Sequence, residues 1–290
     1  MKSYHPLIAF VYFISELLLT MLLRDPVIMA TSLFGAVLYA SAFATKATVT
    51  EDLRFFPILF VLVTLTNPVF SHNGVTPLFF LNGNAVTLES LLYGAFIAAA
   101  LIAVLLWSRA YAKIVTSDKF LYLFGRALPK TALILSVSLR YLPLIRKDAA
   151  ALKEAGRTLG LYSTDSFVDR FLSNVKVYYA LIGRTLENAV GTAESMRARG
   201  WGSGKNIPFA SYRWRSRDTA AAVVLLLLLP GVLFPVFLGA MTAAFYPALT
   251  LPPPGALTAL CYGSFGLLSV FPSLSRWEVS IRWTLFQSKI

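Results

Sequence analysis

Arg197 and Arg199 are the side chains best placed to act on another molecule. They lie in Thr-Ala-Glu-Ser-Met-Arg-Ala-Arg-Gly-Trp, residues 192–201. A guanidinium offers a planar fork of donors that can pair bidentately with a carboxylate. Gly200 stands where a helix commonly stops in a left-handed conformation, and cations in the last turn complement the exposed carbonyl dipole. The plainer reading is therefore an ordinary helix end with solvated arginines, and the rest of the chain has to decide between the two.

Other residues invite chemistry less well. Glu16 stands alone in an apolar run, where a carboxyl is either an ion or proton site or a hydrogen-bonded packing residue. His5 and His72 are the only histidines, and the topology below puts them on opposite sides of a membrane, so they share no metal site. In the segments read as cytosolic, no cluster of His, Asp or Glu has catalytic or metal-binding spacing. Gly202-Ser203-Gly204-Lys205 imitates a phosphate loop, but Arg199 replaces its first glycine, Asn206 replaces its Ser or Thr, and no strand precedes it.

The elements that must position the arginines follow from composition. The 290 residues are 57% hydrophobic and 14% charged, with mean hydropathy +0.67, against about 25% charged in a soluble domain. The sequence specifies an all-α polytopic membrane protein. The net charge of +12 comes from Lys and Arg gathered in a few segments between apolar runs. That pattern fits loops facing acidic lipid or acidic partner surfaces and argues against nucleic acid. The single cysteine, Cys261, allows no internal disulfide.

Six spans are expected. Leu7 to Leu23 and Pro26 to Ala44 are joined by a tight turn at Arg24-Asp25, and Arg24-Asp25-Pro26 is a poor cleavage site, so the first is read as a retained helix and not a signal peptide. Phe55 to Phe70 is a third span, shortened by Pro57 and Asn67-Pro68, and Leu88 to Trp107 is the fourth. Ser71 to Thr87 has no Lys or Arg and is external, whereas Arg109 to Lys130 is basic and internal. Thr219 to Pro247, broken by Pro230-Gly231 and Pro235, reads as one kinked span with a possible re-entrant end, and Ala256 to Leu274 is the last. Both termini are then cytoplasmic. Three regions result: membrane helices at 1–108, an internal region at 109–218, and membrane helices at 219–290.

The internal region holds two arms. Thr131 to Ile145 is apolar, but it is shorter than the roughly 20 residues a crossing needs. Crossing would also place Arg140 in the bilayer and put the basic stretch Arg146 to Arg217 outside. It instead begins an amphipathic helix with apolar residues at Leu135, Leu139, Leu142, Ile145, Ala149, Leu152, Gly156 and Leu159. Pro143 is expected to kink it, and Gly160 to end it. From Leu172 a second helix repeats the spacing through Val175, Tyr179, Ile182, Leu186, Ala189, Ala193 and Met196. A helix of that length is roughly 39 Å long. Narrow stripes of this kind pack helix on helix.

Three segments carry a family resemblance: Met196-Arg197-Ala198-Arg199-Gly200; Leu128-Pro129 through Ser138-Leu139-Arg140-Tyr141-Leu142-Pro143; and Asn67-Pro68-Val69-Phe70-Ser71-His72-Asn73-Gly74-Val75-Thr76. The chain resembles the transmembrane T component of energy-coupling factor transporters, the group that includes the cobalt-type CbiQ proteins. The resemblance covers Asp25 to Trp201 and, by position, the last two spans. It implies a scaffold of the bacterial or archaeal cell membrane with no catalysis or cofactor of its own, its two coupling helices docked on two ATP-binding ABC-type ATPase subunits. It also implies a separate membrane S component that captures a vitamin or metal ion. Arg197, Ala198, Arg199 and Gly200 match the second coupling motif. The first departs from the family: in Ala155-Gly156-Arg157-Thr158-Leu159-Gly160, Leu159 stands where the motif arginine is expected, with Arg157 as a possible substitute. That departure suggests two non-identical ATPases. Ala155, Arg157 and Gly160 are its candidate docking residues, and Leu135, Leu139, Leu142, Tyr179, Ile182 and Leu186 are candidates for packing against the S component. The alternative is a self-contained secondary transporter with Glu16 as its ion or proton site.

Overall fold

The computed structural model describes residues 4–41, 46–81, 84–125, 128–162, 166–201 and 212–287. The imitation phosphate loop at Gly202 to Lys205 lies outside these residues. The protein divides into two compact units, one of residues 1–116 and 212–290 and one of residues 117–211.

The first unit is built from six apolar helices: α1 (Pro6–Leu22), α2 (Pro26–Ser41), α3 (Lys46–Phe70), α4 (Leu88–Ile114), α8 (Ser216–Phe237) and α9 (Ala256–Gln287). Four segments are long and apolar enough to cross a membrane, Thr48–Phe70, Leu88–Ile114, Ser216–Phe237 and Ala256–Ser275, and α1 and α2 are shorter apolar helices. Helices suit this environment because each satisfies its own backbone polar groups. The turn between α1 and α2 is as tight as Arg24-Asp25 suggests. Asp25 Oδ1 accepts from the N–H of Val27 at 2.9 Å and of Ile28 at 3.2 Å, while Oδ2 accepts from Tyr262 of α9 at 2.9 Å. Trp107 of α4 is fully buried at the centre, 6.2 Å from the rings of Tyr12 and Phe13 and 6.1 Å from Tyr39.

One expectation about this unit fails. Pro57 and Pro68 do not shorten the third span, since α3 runs through both and begins at Lys46. Each proline removes one backbone donor, which a packed membrane helix tolerates where neighbours cover the freed carbonyl. Pro68 frees the Thr64 carbonyl, and Gly94 of α4 crosses there, so close that a Cβ on Gly94 would sit 2.6 Å from Thr64 O. The expectation of one span in the run after Thr219 holds. The run contains one helix, α8, with Pro230 and Pro235 inside it, followed by a non-helical segment in which Ala244 and Thr250 form an antiparallel bridge.

The segment 71–87, expected as a loop, contains a hairpin of β1 (Pro77–Leu81) and β2 (Asn84–Thr87). The Asn67 to Thr76 stretch fastens it to α4. Asn67 Nδ2 donates to Ser90 O at 2.6 Å, Ser90 Oγ to Ser71 O at 2.9 Å, Thr76 Oγ1 to Glu89 Oε1 at 2.8 Å, and Thr87 Oγ1 to Asn73 O at 2.7 Å. The resemblance motif at 67–76 thus has a local job: it docks the hairpin on the first turn of α4.

The second unit comprises α5 (Ser117–Gly125), which the sequence pattern did not reveal, α6 (Pro129–Thr158) and α7 (Phe167–Ala198). Thr131 to Ile145 is the first half of α6, which continues through Pro143 and is not among the helices apolar enough to span. The second arm begins at Phe167, ahead of the expected Leu172, and its 32 residues make it about 48 Å long at about 1.5 Å per residue.

Candidate functional site

The two arms lie side by side and antiparallel. Tyr141 of α6 shares a hydrogen bond with Thr192 of α7 at 2.5 Å. Two turns on, Asp148 Oδ1 meets Arg184 at 3.6 Å, and an added Cβ on Gly156 would touch Val177 at 3.7 Å. Ascending residues on one helix thus meet descending residues on the other. Beyond the end of α6, Ser173 of α7 donates to Leu161 O, and Tyr162 to Asn174 Oδ1 at 2.9 Å.

The inner faces of the arms differ from the expected stripes. On α7 the partly or fully buried positions include Ser173, Val177, Leu181, Thr185, Thr192 and Met196. Tyr179, Ile182 and Leu186 are 71%, 42% and 64% exposed. On α6 the expected Ile145, Ala149, Leu152 and Gly156 are on the inner side, but Leu135, Leu139 and Leu142 are 39%, 39% and 53% exposed. Packing helix on helix therefore uses Tyr141 with Thr192, and Asp148 with Arg184, beside the expected apolar positions. The outward leucines, Tyr179 and Ile182 form apolar surface that the arms themselves do not cover.

Both arms end in the same hydrogen-bonded turn. On α7, Arg199 closes the helix at φ −81°, ψ 8°, Gly200 follows at φ +79°, Gly200 N donates to Arg197 O at 2.9 Å and Trp201 N to Met196 O at 3.0 Å. On α6, Leu159 closes it at φ −81°, ψ 3° and Gly160 follows at φ +78°. There Gly160 N donates to Arg157 O at 3.1 Å and Leu161 N to Gly156 O at 2.9 Å. This is the Schellman motif twice, with glycine at the one position where a Cβ is disfavoured. A Cβ on Gly160 would meet nothing within 4 Å, so backbone conformation alone selects glycine there.

The repeat fixes a register that sequence spacing left open. Leu159 is the positional equivalent of Arg199, and Arg157 is the equivalent of Arg197. Arg157 therefore does not occupy the place of the missing arginine. Leu159 is 80% exposed, and Ala155, Arg157, Gly160, Arg197, Ala198, Arg199 and Gly200 are all exposed. The candidate residues form two separate tips. From the Tyr141–Thr192 and Gly156–Val177 levels, helical rise puts the tips about 40 Å apart. One carries two arginines and Trp201, and the other one arginine and Leu159. No single pocket is built from both, and among the described residues no group of three His, Cys, Asp or Glu side chains could hold a metal.

A family model for cobalt transport proteins, CbiQ, matches residues 3–208. The chain belongs to the CbiQ family. That match takes in both arms and their tips. The chain is also 30% identical over 105 residues to the energy-coupling factor transporter transmembrane protein EcfT of Listeria innocua. The aligned part is 36% of this chain and 39% of that relative. Membership in this family of transport components agrees with the six apolar helices.

Proposed function

We propose that the chain is the transmembrane coupling subunit of an energy-coupling factor importer. In this reading each tip seats in a groove of one cytosolic ABC-type ATPase subunit. The observation that supports it is the repeated cap, two like-shaped helix ends facing away from each other at a spacing that suits two partner subunits and not one. Nucleotide-driven motion of the ATPases pushes on α6 and α7, and the exposed Leu135, Leu139, Leu142, Tyr179, Ile182 and Leu186 offer an apolar track for a membrane S component carrying a vitamin or metal ion. The difference between Leu159 and Arg199 favours two non-identical ATPases, one offering a carboxylate and one an apolar contact. In this role the chain holds no ATP and catalyses nothing itself.

Reconstitution tests the role. Liposomes containing the chain alone are expected to show no uptake, and ATP-dependent uptake is expected only when both ATPases and an S component are added. Uptake by the chain alone, driven by an ion gradient, would select a self-contained carrier instead.

A further inference from the structure

The core of the membrane unit encloses a carboxyl that the coupling role does not use. Glu16 lies within α1 with no exposed surface, and neither Oε1 nor Oε2 has a hydrogen-bond partner. One turn to either side on the same face are Tyr12 and Thr20, 0% and 1% exposed. Thr20 Oγ1 and Ser32 Oγ of α2 share a hydrogen bond at 2.7 Å, and Trp107 Nε1 of α4 donates to the same Ser32 Oγ at 3.2 Å. Tyr12 is already committed, its hydroxyl donating to Leu268 O of α9 at 3.0 Å.

Counting donors and acceptors shows what this cluster lacks. Ser32 accepts from Trp107, and one hydroxyl proton is used between Ser32 and Thr20. The pair keeps one hydroxyl proton and spare lone pairs, neither hydroxyl is bonded to Glu16, and the carboxyl keeps all of its own lone pairs. Among the described residues of this unit no Lys, Arg or His is buried. On α4, Arg109 and Lys113 are exposed, Arg109 being paired with Asp52, while Glu89 accepts from Thr76 and Tyr93 packs on Phe245. The titratable groups in and around the core are Tyr12, Tyr39, Tyr111, Cys261 and Tyr262, with Asp25 at the α1–α2 turn, whose oxygens are bonded to Val27, Ile28 and Tyr262. None of these core groups brings a positive charge. An uncompensated carboxylate inside a bilayer is among the costliest arrangements a protein can hold.

We propose that Glu16, with the Thr20 and Ser32 hydroxyls beside it, is a binding site for one monovalent cation, an alkali ion or a proton, whose charge stabilises the junction of α1, α2, α4 and α9. Hard oxygen donors and a single negative charge suit a cation of single charge. The site stands whether or not the arms meet ATPases.

The test is thermal unfolding of the full chain in lipid nanodiscs, as wild type, Glu16→Gln and Glu16→Met. One arm compares sodium, potassium and choline chloride at equal ionic strength. The other runs from about pH 6 to about pH 9, below the range where tyrosine ionises in water. An alkali-ion site predicts a wild-type midpoint raised by about 3 °C over choline, the shift expected of a site about ten times saturated. A proton site predicts no dependence on the salt and a midpoint that falls by a similar amount as pH rises. Either response, absent from both variants, supports the proposal and names the source. A wild type that responds in neither arm overturns it, as do variants that respond as the wild type does. If neither variant folds, a wild type that responds in neither arm still overturns the proposal, and Glu16→Asp, which keeps the carboxyl and is expected to keep a weakened response, carries the comparison.

Discussion

Arg199→Glu is expected to abolish ATP-coupled uptake and to weaken binding of the ATPase seated on that tip on the order of a hundredfold or more. The variant leaves the helix end intact, because Gly200 and the paired backbone bonds set the cap. Only the charge offered to the partner inverts. If the proposed docking pairs the guanidinium with a carboxylate, the variant sets two carboxylates together, and such a change at a desolvated contact costs about 3 kcal/mol or more. Arg157→Ala is expected to do less, within about a factor of five, because Arg157 holds the place of Arg197 on a tip whose terminal residue is Leu159, and exposed charge pairs contribute about 1 kcal/mol at most. Uptake assays on the reconstituted complex and ATPase titrations in detergent check both. Wild-type uptake by Arg199→Glu would remove the arginine from the coupling mechanism.

The largest stability effect is expected at Gly94. Its missing side chain lets α4 cross α3 where a Cβ would lie 2.6 Å from Thr64 O, 3.1 Å from Asn67 Cβ and 3.2 Å from Thr64 Cα. Two of these are backbone atoms that cannot rotate aside, and close crossings of membrane helices depend on such small residues. Gly94→Leu must separate the helices and strain the Asn67 bond to Ser90 O. Overpacking of this kind costs about 3 kcal/mol, or roughly 6–12 °C in unfolding midpoint. Gly183→Ala and Gly191→Ala are the controls: nothing lies within 4 Å of either added Cβ, and both sit inside α7, where alanine is favoured over glycine by about 1 kcal/mol. A midpoint for Gly94→Leu equal to the wild type's would show that α3 and α4 do not pack as described.

What the sequence disclosed and what it withheld have physical reasons. Apolar length and the distribution of Lys and Arg were enough to read six membrane helices, because the bilayer demands long unbroken apolar runs. The ends of the arms were legible too, since Gly160 and Gly200 take the positive φ that few other residues accept. The inward faces were not. Both sides of α7 carry apolar residues, and spacing alone does not tell the side that meets α6, with Val177, Leu181 and Met196, from the side left for another molecule. Threonine and aspartate at helix contacts, as at Thr192 and Asp148, hide a packed face from a search for hydrophobic periodicity. Pro68 misled for a related reason, because tertiary packing at Gly94 covers a carbonyl that proline would otherwise leave bare. The equivalence of Leu159 with Arg199 needed the two hydrogen-bonded caps side by side.

Photo-crosslinking from the two tips tests the central claim most directly. A benzophenone placed through Leu159→Cys, and separately through Arg157→Cys and its exposed equivalent Arg197→Cys, is carried into the assembled complex with distinguishable ATPases, and the products are identified by mass. The probes at 157 and 159 are expected to label one ATPase subunit and the probe at 197 the other, and native mass is expected to show two ATPases for each chain. Labelling of a single shared subunit from both tips, or of none, would contradict it.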